Sequence, residues 1–207
     1  MSDETFCIMK KLDMNAVDVQ ISLQCAPILT GVKISNLLHV RADQKAEVFH
    51  LFEDSQISCH VLYEWKDRVA FLVYRREQLK RYLAQENVRA LMEVFGYRNM
   101  ELEDMLAKLE VRYQAHMEGT EEFPHEVGLL LEYPPEDVIG FIENEGENFL
   151  YSGYWKVYGN VERARRIFLA YEHAREAVIR MAGNGSGVKD IMAFYNIMRR
   201  RQLVAQI

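Results

Sequence analysis

Three places in the chain bring together side chains whose types and spacing suit chemistry. The first is His125-Glu126, directly behind Pro124 and opening an apolar run. As a helix with Pro124 at its first position, that run has free backbone N–H groups in its first turn and a positive dipole end. An anion would be held there while His125 moves a proton, with Glu126 orienting the ring. The positive end would also keep the imidazole neutral and able to act as a base. A plainer reading stands beside it: Glu126 complements the dipole and His125 is an ordinary, partly exposed residue.

The second place is Cys25, in the stretch Cys25-Ala-Pro-Ile-Leu-Thr-Gly-Val-Lys33. A cation at Lys33 would favour the thiolate and make the sulfur a nucleophile or a redox group. The alternative is that Cys25 is a small buried hydrophobe. Cys7, near the start, and Cys59, on an apolar strand face, read as inert. The third place is the aromatic cluster Tyr151, Tyr154, Trp155, Lys156 and Tyr158. Neighbours on a strand point to opposite faces, so one face enters the core and the other could line a pocket. Lys33 and Lys156 are therefore the two candidates for clamping an anionic ligand.

Other chemistries lack their patterns. Cys59 and His60 would point apart on a strand and cannot share an ion. Position 129 is Leu, so the H-E-x-x-H spacing of zinc proteases fails after His125. The acidic run from Glu143 to Glu147 departs from the calcium-loop pattern, and cysteine pairs at zinc spacing are absent. No metal site is expected. Neither a dinucleotide or Walker glycine loop nor a G-x-S-x-G elbow occurs, and the sequence specifies no cofactor.

These residues must be positioned by a mixed set of elements. The periodicity predicts a helix over 13–24 that stops before Pro27, leaving residues 25–33 as a structured turn. Asp43 caps a short helix to about Ser55, with Val48, Phe49 and Phe52 inward. Residues 57–65 alternate, placing Ile57, Cys59, Val61, Tyr63 and Trp65 on one face. After a turn at Lys66-Asp67, residues 69–74 are apolar throughout, so the pair reads as a β-hairpin with its second strand covered on both faces. Helices follow over 76–95 and, capped by Asn99, over 100–117. Short helices open at Pro124 and Pro135, and a short strand covers 154–158. Asn160 caps a long helix ending before Gly183, and an amphipathic helix closes the chain.

The fold class is therefore α+β: a small, mainly antiparallel sheet with the hairpin 57–74 and the strand 154–158, packed by several helices, with a helical C-terminus. A single domain is expected over 1–182, a Gly-rich hinge over 183–187 and a C-terminal amphipathic helix over 188–207. With 207 residues, half of them hydrophobic, a sizeable core forms without disulfides or metals. Charge is uneven. Residues 100–150 carry 2 basic and 14 acidic side chains, whereas residues 151–207 carry 10 basic and 4 acidic. The basic helices either lie near the acidic middle, present solvated faces, or offer a surface to a protein partner. A formal net charge of −6 does not favour nucleic acid. The start lacks the apolar stretch of a signal peptide, no eighteen apolar residues run together, and the three cysteines are irregularly spaced. A cytoplasmic protein without a membrane partner is expected.

The segments Phe123-Pro-His-Glu-Val-Gly-Leu-Leu-Leu, Tyr133-Pro-Pro-Glu-Asp-Val-Ile-Gly-Phe-Ile142 and Gly153-Tyr-Trp-Lys-Val-Tyr-Gly159 resemble the hallmarks of a known family. It is a domain-of-unknown-function family (number 3793) found mainly in anaerobic, Gram-positive bacteria. The Cys25–Lys33 stretch and Asn36-Leu-Leu resemble its N-terminal motif. The resemblance covers about residues 20–175 and leaves the tail from Gly183 outside. It implies a cytosolic protein and implies no activity. It marks Cys25, Lys33, His125, Glu126, Tyr154 and Lys156 for attention, and Asn36 joins Lys33, Tyr154 and Lys156 as a candidate ligand-binding residue. Glu132 stands where the family pattern leads one to expect a glycine, which implies a looser turn. The functional expectation is binding of a small anionic molecule, or thiol-dependent catalysis, in a pocket shared by Cys25 and His125. The alternative is a non-catalytic interaction or regulatory protein acting through the acidic middle and the basic C-terminal helices.

Overall fold

The computed structural model describes residues 2–204. A three-stranded antiparallel sheet divides it, in the order β1-β3-β2, with β1 at Ser35–Arg41, β2 at Ser58–Trp65 and β3 at Arg68–Tyr74. β2 and β3 form the expected hairpin, and β3 is central, with Val69 to Val73 fully buried. β1 was not anticipated. Its adjacent Leu37 and Leu38 mask the alternation, because one serves each face of the sheet. Leu38 pairs with Phe71 and Val40 with Val69.

Each face carries its own core. On one side Leu38, Val40, Val69, Phe71 and Val73 meet four helices: α2 (Val17–Thr30), α3 (Lys45–Phe52), α9 (Val161–Gly183) and α10 (Val188–Val204). On the other, Leu62, Leu72 and Tyr74 meet α4 (Arg76–Leu83), α5 (Glu86–Val94), α6 (Leu102–Met117), α7 (Val127–Leu130) and α8 (Pro135–Glu143). The N-terminal α1 (Asp3–Met9) lies against α9, and Ser2 caps it by accepting from the Thr5 N–H.

A bulge explains where the alternation of β2 misleads. Val61 pairs with Phe71 and Tyr63 with Ala70, so Leu62 is an extra residue. One inserted residue moves everything beyond it to the opposite face. Tyr63, expected beside Cys59 and Val61, instead stacks on Tyr113 of α6 at 5.4 Å in the second core.

Helix α2 also departs from expectation, running through Pro27 to Thr30. Proline removes one helical hydrogen bond, but Cys25, Ala26, Ile28 and Leu29 all face a closed core, and their burial outweighs that loss. Gly31, at a left-handed φ of 79°, ends the helix where it can do so without a Cβ clash. Cys25 therefore sits on a helix rather than in a turn. The predicted 76–95 helix breaks at Ala84-Gln85 into α4 and α5, and Phe49 is exposed rather than inward. Asn99 does not cap α6; Glu101 precedes it, and Asn99 occupies a turn at φ 55°.

Residues 154–158 do not extend the main sheet. β4 (Tyr151–Ser152) and β5 (Lys156–Val157) make a separate two-stranded ribbon. Its Trp155 and Val157 pack on Ala164, Phe168 and Tyr171 of α9. Asn160 caps α9 as expected, accepting from the Arg163 N–H at 2.9 Å. After Gly183 a hydrogen-bonded turn leads to Val188, whose N–H donates to Asp18 Oδ1 at 2.7 Å. That anchor seats Val188, Ile191 and Met192 in the first core. Residues 205–207 of the expected C-terminal helix lie outside the described residues. Among the described residues, no helix is long and apolar enough to cross a membrane.

Candidate functional site

The segment from Phe123 to Tyr133 folds as a tight double turn around a very short helix. The Val127 N–H donates to Pro124 O and the Gly128 N–H to His125 O, each at 3.0 Å. α7 is only four residues long, so the expected anion-holding helix end behind Pro124 is not built. The segment closes when the Tyr133 N–H returns to Gly128 O at 2.9 Å. Pro135 then starts α8 as predicted.

A cavity of about 330 Å³ lies between this segment, β1, α8 and the ribbon. Phe123, Tyr133, Phe141 and Trp155 supply aromatic walls, and Leu37, Leu131 and Val138 supply aliphatic ones. Tyr133 and Trp155 stack at 5.1 Å. Trp155 is fixed by its Nε1–H, which donates to Asp137 Oδ2 at 2.7 Å. Oδ1 of Asp137 accepts the N–H groups of Tyr158 and Gly159, both at 2.8 Å. One buried carboxylate thus ties α8 to the ribbon and orients the indole. Gly140 permits the close approach, since a Cβ there would lie 2.5 Å from the Tyr158 side chain.

Two of the seven candidate residues line this cavity: His125 and Lys156. The His125 ring meets Phe123 edge-on at 5.4 Å and Phe141 at 5.6 Å. Burial holds its proton affinity below the ordinary value, while Glu126 and Glu122 pull the other way. The direction agrees with a neutral imidazole, but the cause is burial rather than a helix dipole. Lys156 Nζ donates to Gly146 O and lies over the rings of Phe149 and Phe141 at 5.0 and 5.7 Å.

Glu126 is not the orienting partner of His125. Its side chain is fully buried, and Oε1 accepts from the Tyr97 hydroxyl at 2.7 Å and from Arg112 Nη1 of α6. Glu126 Oε2 has no hydrogen-bond partner among the described residues. The carboxylate pins the His125 segment to α6.

Cys25 and His125 do not share the cavity. Cys25 is completely buried in the first core, and its Sγ lies 3.9 Å from Leu37 O. Burial pushes the thiol up to about 12; Lys33 and Asn36 favour the thiolate but do not prevail. A protonated, sealed sulfur is not a nucleophile. Asn36 Nδ2 donates to Gln24 O at 2.9 Å and Leu37 O at 2.7 Å, so it joins β1 to α2 and is not turned to the cavity. Tyr154 also lies outside the cavity, and its hydroxyl donates to Glu172 Oε1 at 3.1 Å.

Lys33 is likewise buried, with Nζ 5.6 and 5.7 Å from the rings of Tyr133 and Tyr171. Burial pulls its ammonium down from 10.5 to about 8, against the attraction of Glu132. Between these values the folded chain binds fewer protons at Lys33 than the unfolded chain, so this group makes stability rise with pH there. Below pH 8 its burial penalty is fully present, at about 3 kcal/mol. Lys33→Met combined with Glu132→Gln, which keeps an acceptor for the Ile34 N–H without stranding a carboxylate, should therefore be more stable than the native chain at pH 7. That advantage should shrink by about 3 kcal/mol by pH 10.5, as read from urea unfolding at the two values.

A family model described as protein of unknown function (DUF3793) matches residues 21–192. The chain belongs to the DUF3793 family. The DUF3793 match runs beyond the 20–175 span of the hallmark segments and past Gly183, taking in the part of α10 that holds Val188, Ile191 and Met192. No curated protein and no solved structure matches the chain. At Glu132, where the DUF3793 pattern suggested glycine, the backbone is left-handed at φ 62°. The turn is as tight as glycine would make it, and the Glu132 carboxylate holds it by accepting from the Ile34 N–H at 2.6 Å.

Sequence reasoning missed Asp137, Phe141, Tyr133 and Leu37 as site residues. Tyr133, Asp137 and Phe141 all sit within one hallmark segment of the DUF3793 family, which was the available signal. Leu37 also lay in a segment of the family's pattern, Asn36-Leu-Leu, but its place in the cavity follows from β1, which the sequence did not reveal.

Proposed function

We propose that the chain is a small-molecule-binding protein whose ligand occupies the cavity between α7, α8 and the β4–β5 ribbon. The supporting observation is a preformed aromatic cavity of about 330 Å³ with very few polar groups turned into it. Small-molecule sites start at about 300 Å³ and are lined mainly by apolar and aromatic side chains. An engineered apolar cavity of about 150 Å³ already takes benzene, so a ring with a substituent fits here. Binding is favoured over thiol catalysis because Cys25 is sealed away. His125 remains able to exchange a proton with whatever is bound. Three unpaired cysteines, one of them the exposed Cys7, fit a reducing cytoplasm.

The test is thermal melting with a panel of small aromatic compounds. A binder present at 100 times its Kd stabilises by about 2.7 kcal/mol and raises Tm measurably. Leu37→Trp, which fills the cavity from a half-buried strand position, should keep the native Tm without ligand and lose the rise. A rise that survives Leu37→Trp would place the ligand elsewhere.

A further inference from the structure

The polar groups of the cavity narrow the ligand further, on the reading that the cavity is the binding site. Among the described residues Asp137 is the only carboxylate in its lining, and both of its oxygens already accept from Trp155, Tyr158 and Gly159. It has little left to offer a ligand cation. Lys156 is the only ammonium among the described residues of the lining. Among the described residues it forms no ion pair; one of its three N–H groups donates to Gly146 O, and the rings of Phe141 and Phe149 hold it in place. An ammonium fixed by aromatic faces and a carbonyl keeps its charge available. His125 adds an imidazole whose nitrogens make no hydrogen bond among the described residues, so it can donate an N–H as a neutral group.

Among the described residues, the cavity therefore offers a ligand one cation, one neutral donor and a carboxylate whose oxygens are already engaged, on otherwise apolar walls. Sugars and nucleotides need many polar partners, and amines need an anion. We infer that the ligand is a hydrophobic acid: a compact aromatic or branched body against Tyr133, Trp155 and Phe141, with a single carboxylate on Lys156 Nζ. The carboxylate gains a charge-assisted hydrogen bond from an ammonium already set against the aromatic faces of Phe141 and Phe149.

The experiment is calorimetric titration with three isosteric probes: phenylacetate, phenylacetamide and phenethylamine. Native protein should bind phenylacetate about ten-fold or more tightly than the amide, the difference one charge-assisted bond supplies, and should bind the amine weakest. Lys156→Met should erase the preference for acid over amide while keeping the native circular dichroism spectrum. Leu37→Trp should abolish all binding. Equal affinity for acid and amide in the native protein, or a preference that survives Lys156→Met, overturns the acid assignment; if Leu37→Trp still removes binding, the cavity reading stands. Failure of all three probes to bind the native protein overturns both.

Discussion

Replacing Arg112 with alanine should destabilise the protein by about 3–5 kcal/mol, the range for leaving a buried charge without its partner. Glu126 is wholly enclosed, whereas Arg112 is partly open to solvent, so losing the arginine strands a carboxylate that water cannot reach. The hydroxyl of Tyr97 would remain as its one hydrogen-bond donor. The double variant Arg112→Met with Glu126→Gln should recover much of the loss, because it removes the charge and keeps similar volumes. Urea unfolding of the two variants checks this. A loss below about 1 kcal/mol for Arg112→Ala would show that the pair behaves like a surface ion pair. The same break should loosen the His125 segment, since Glu126 ties it to α6.

Asp137→Ala should have an effect of similar size for a different reason. It would leave three donors without acceptors: the Trp155 indole and the Tyr158 and Gly159 backbone N–H groups. The indole bond is buried and the two backbone bonds are partly so, and a buried unsatisfied group costs about 1–3 kcal/mol. Relaxation and water entry relieve part of that, and a net loss of about 3–5 kcal/mol is expected. Trp155 should also lose its fixed orientation against Tyr133, and ligand binding should fall with it. Fluorescence reads this directly in a Trp65→Phe background, which leaves Trp155 as the sole tryptophan. Its emission should move to the red on Asp137→Ala, and an unchanged spectrum would count against the anchoring role. Asp137→Asn should be milder, because one acceptor oxygen survives for the two backbone donors.

The α+β class was legible because the hairpin states itself twice, in the alternation before Lys66 and the apolar run after it. β1 was not, since a strand that serves two cores carries its hydrophobic residues side by side. The alternation of β2 could not show the extra residue at Leu62, because an inserted residue alters pairing and not composition. Pro27 marks a helix end only where the backbone is free to leave; here the burial of Cys25, Ile28 and Leu29 keeps it in place. Of the candidate residues marked in the sequence, His125 and Lys156 lie along the cavity, which is not the pocket shared by Cys25 and His125 that was expected. Cys25 was misplaced for the same reason as the helix end: a sulfur in a turn can be open to solvent, but a sulfur on a core-facing helix cannot. The aromatic walls come from segments up to about 30 residues apart, and only packing reveals that Phe123 and Trp155 enclose one space.

The sheet that separates the two cores also makes them depend on each other. β3 buries side chains into both, so neither half can come apart without exposing the other's strand. The two halves should therefore unfold together, and a disturbance at the cavity side should reach α2, α9 and α10 across the partition; denaturant unfolding followed on either side should give one coincident transition.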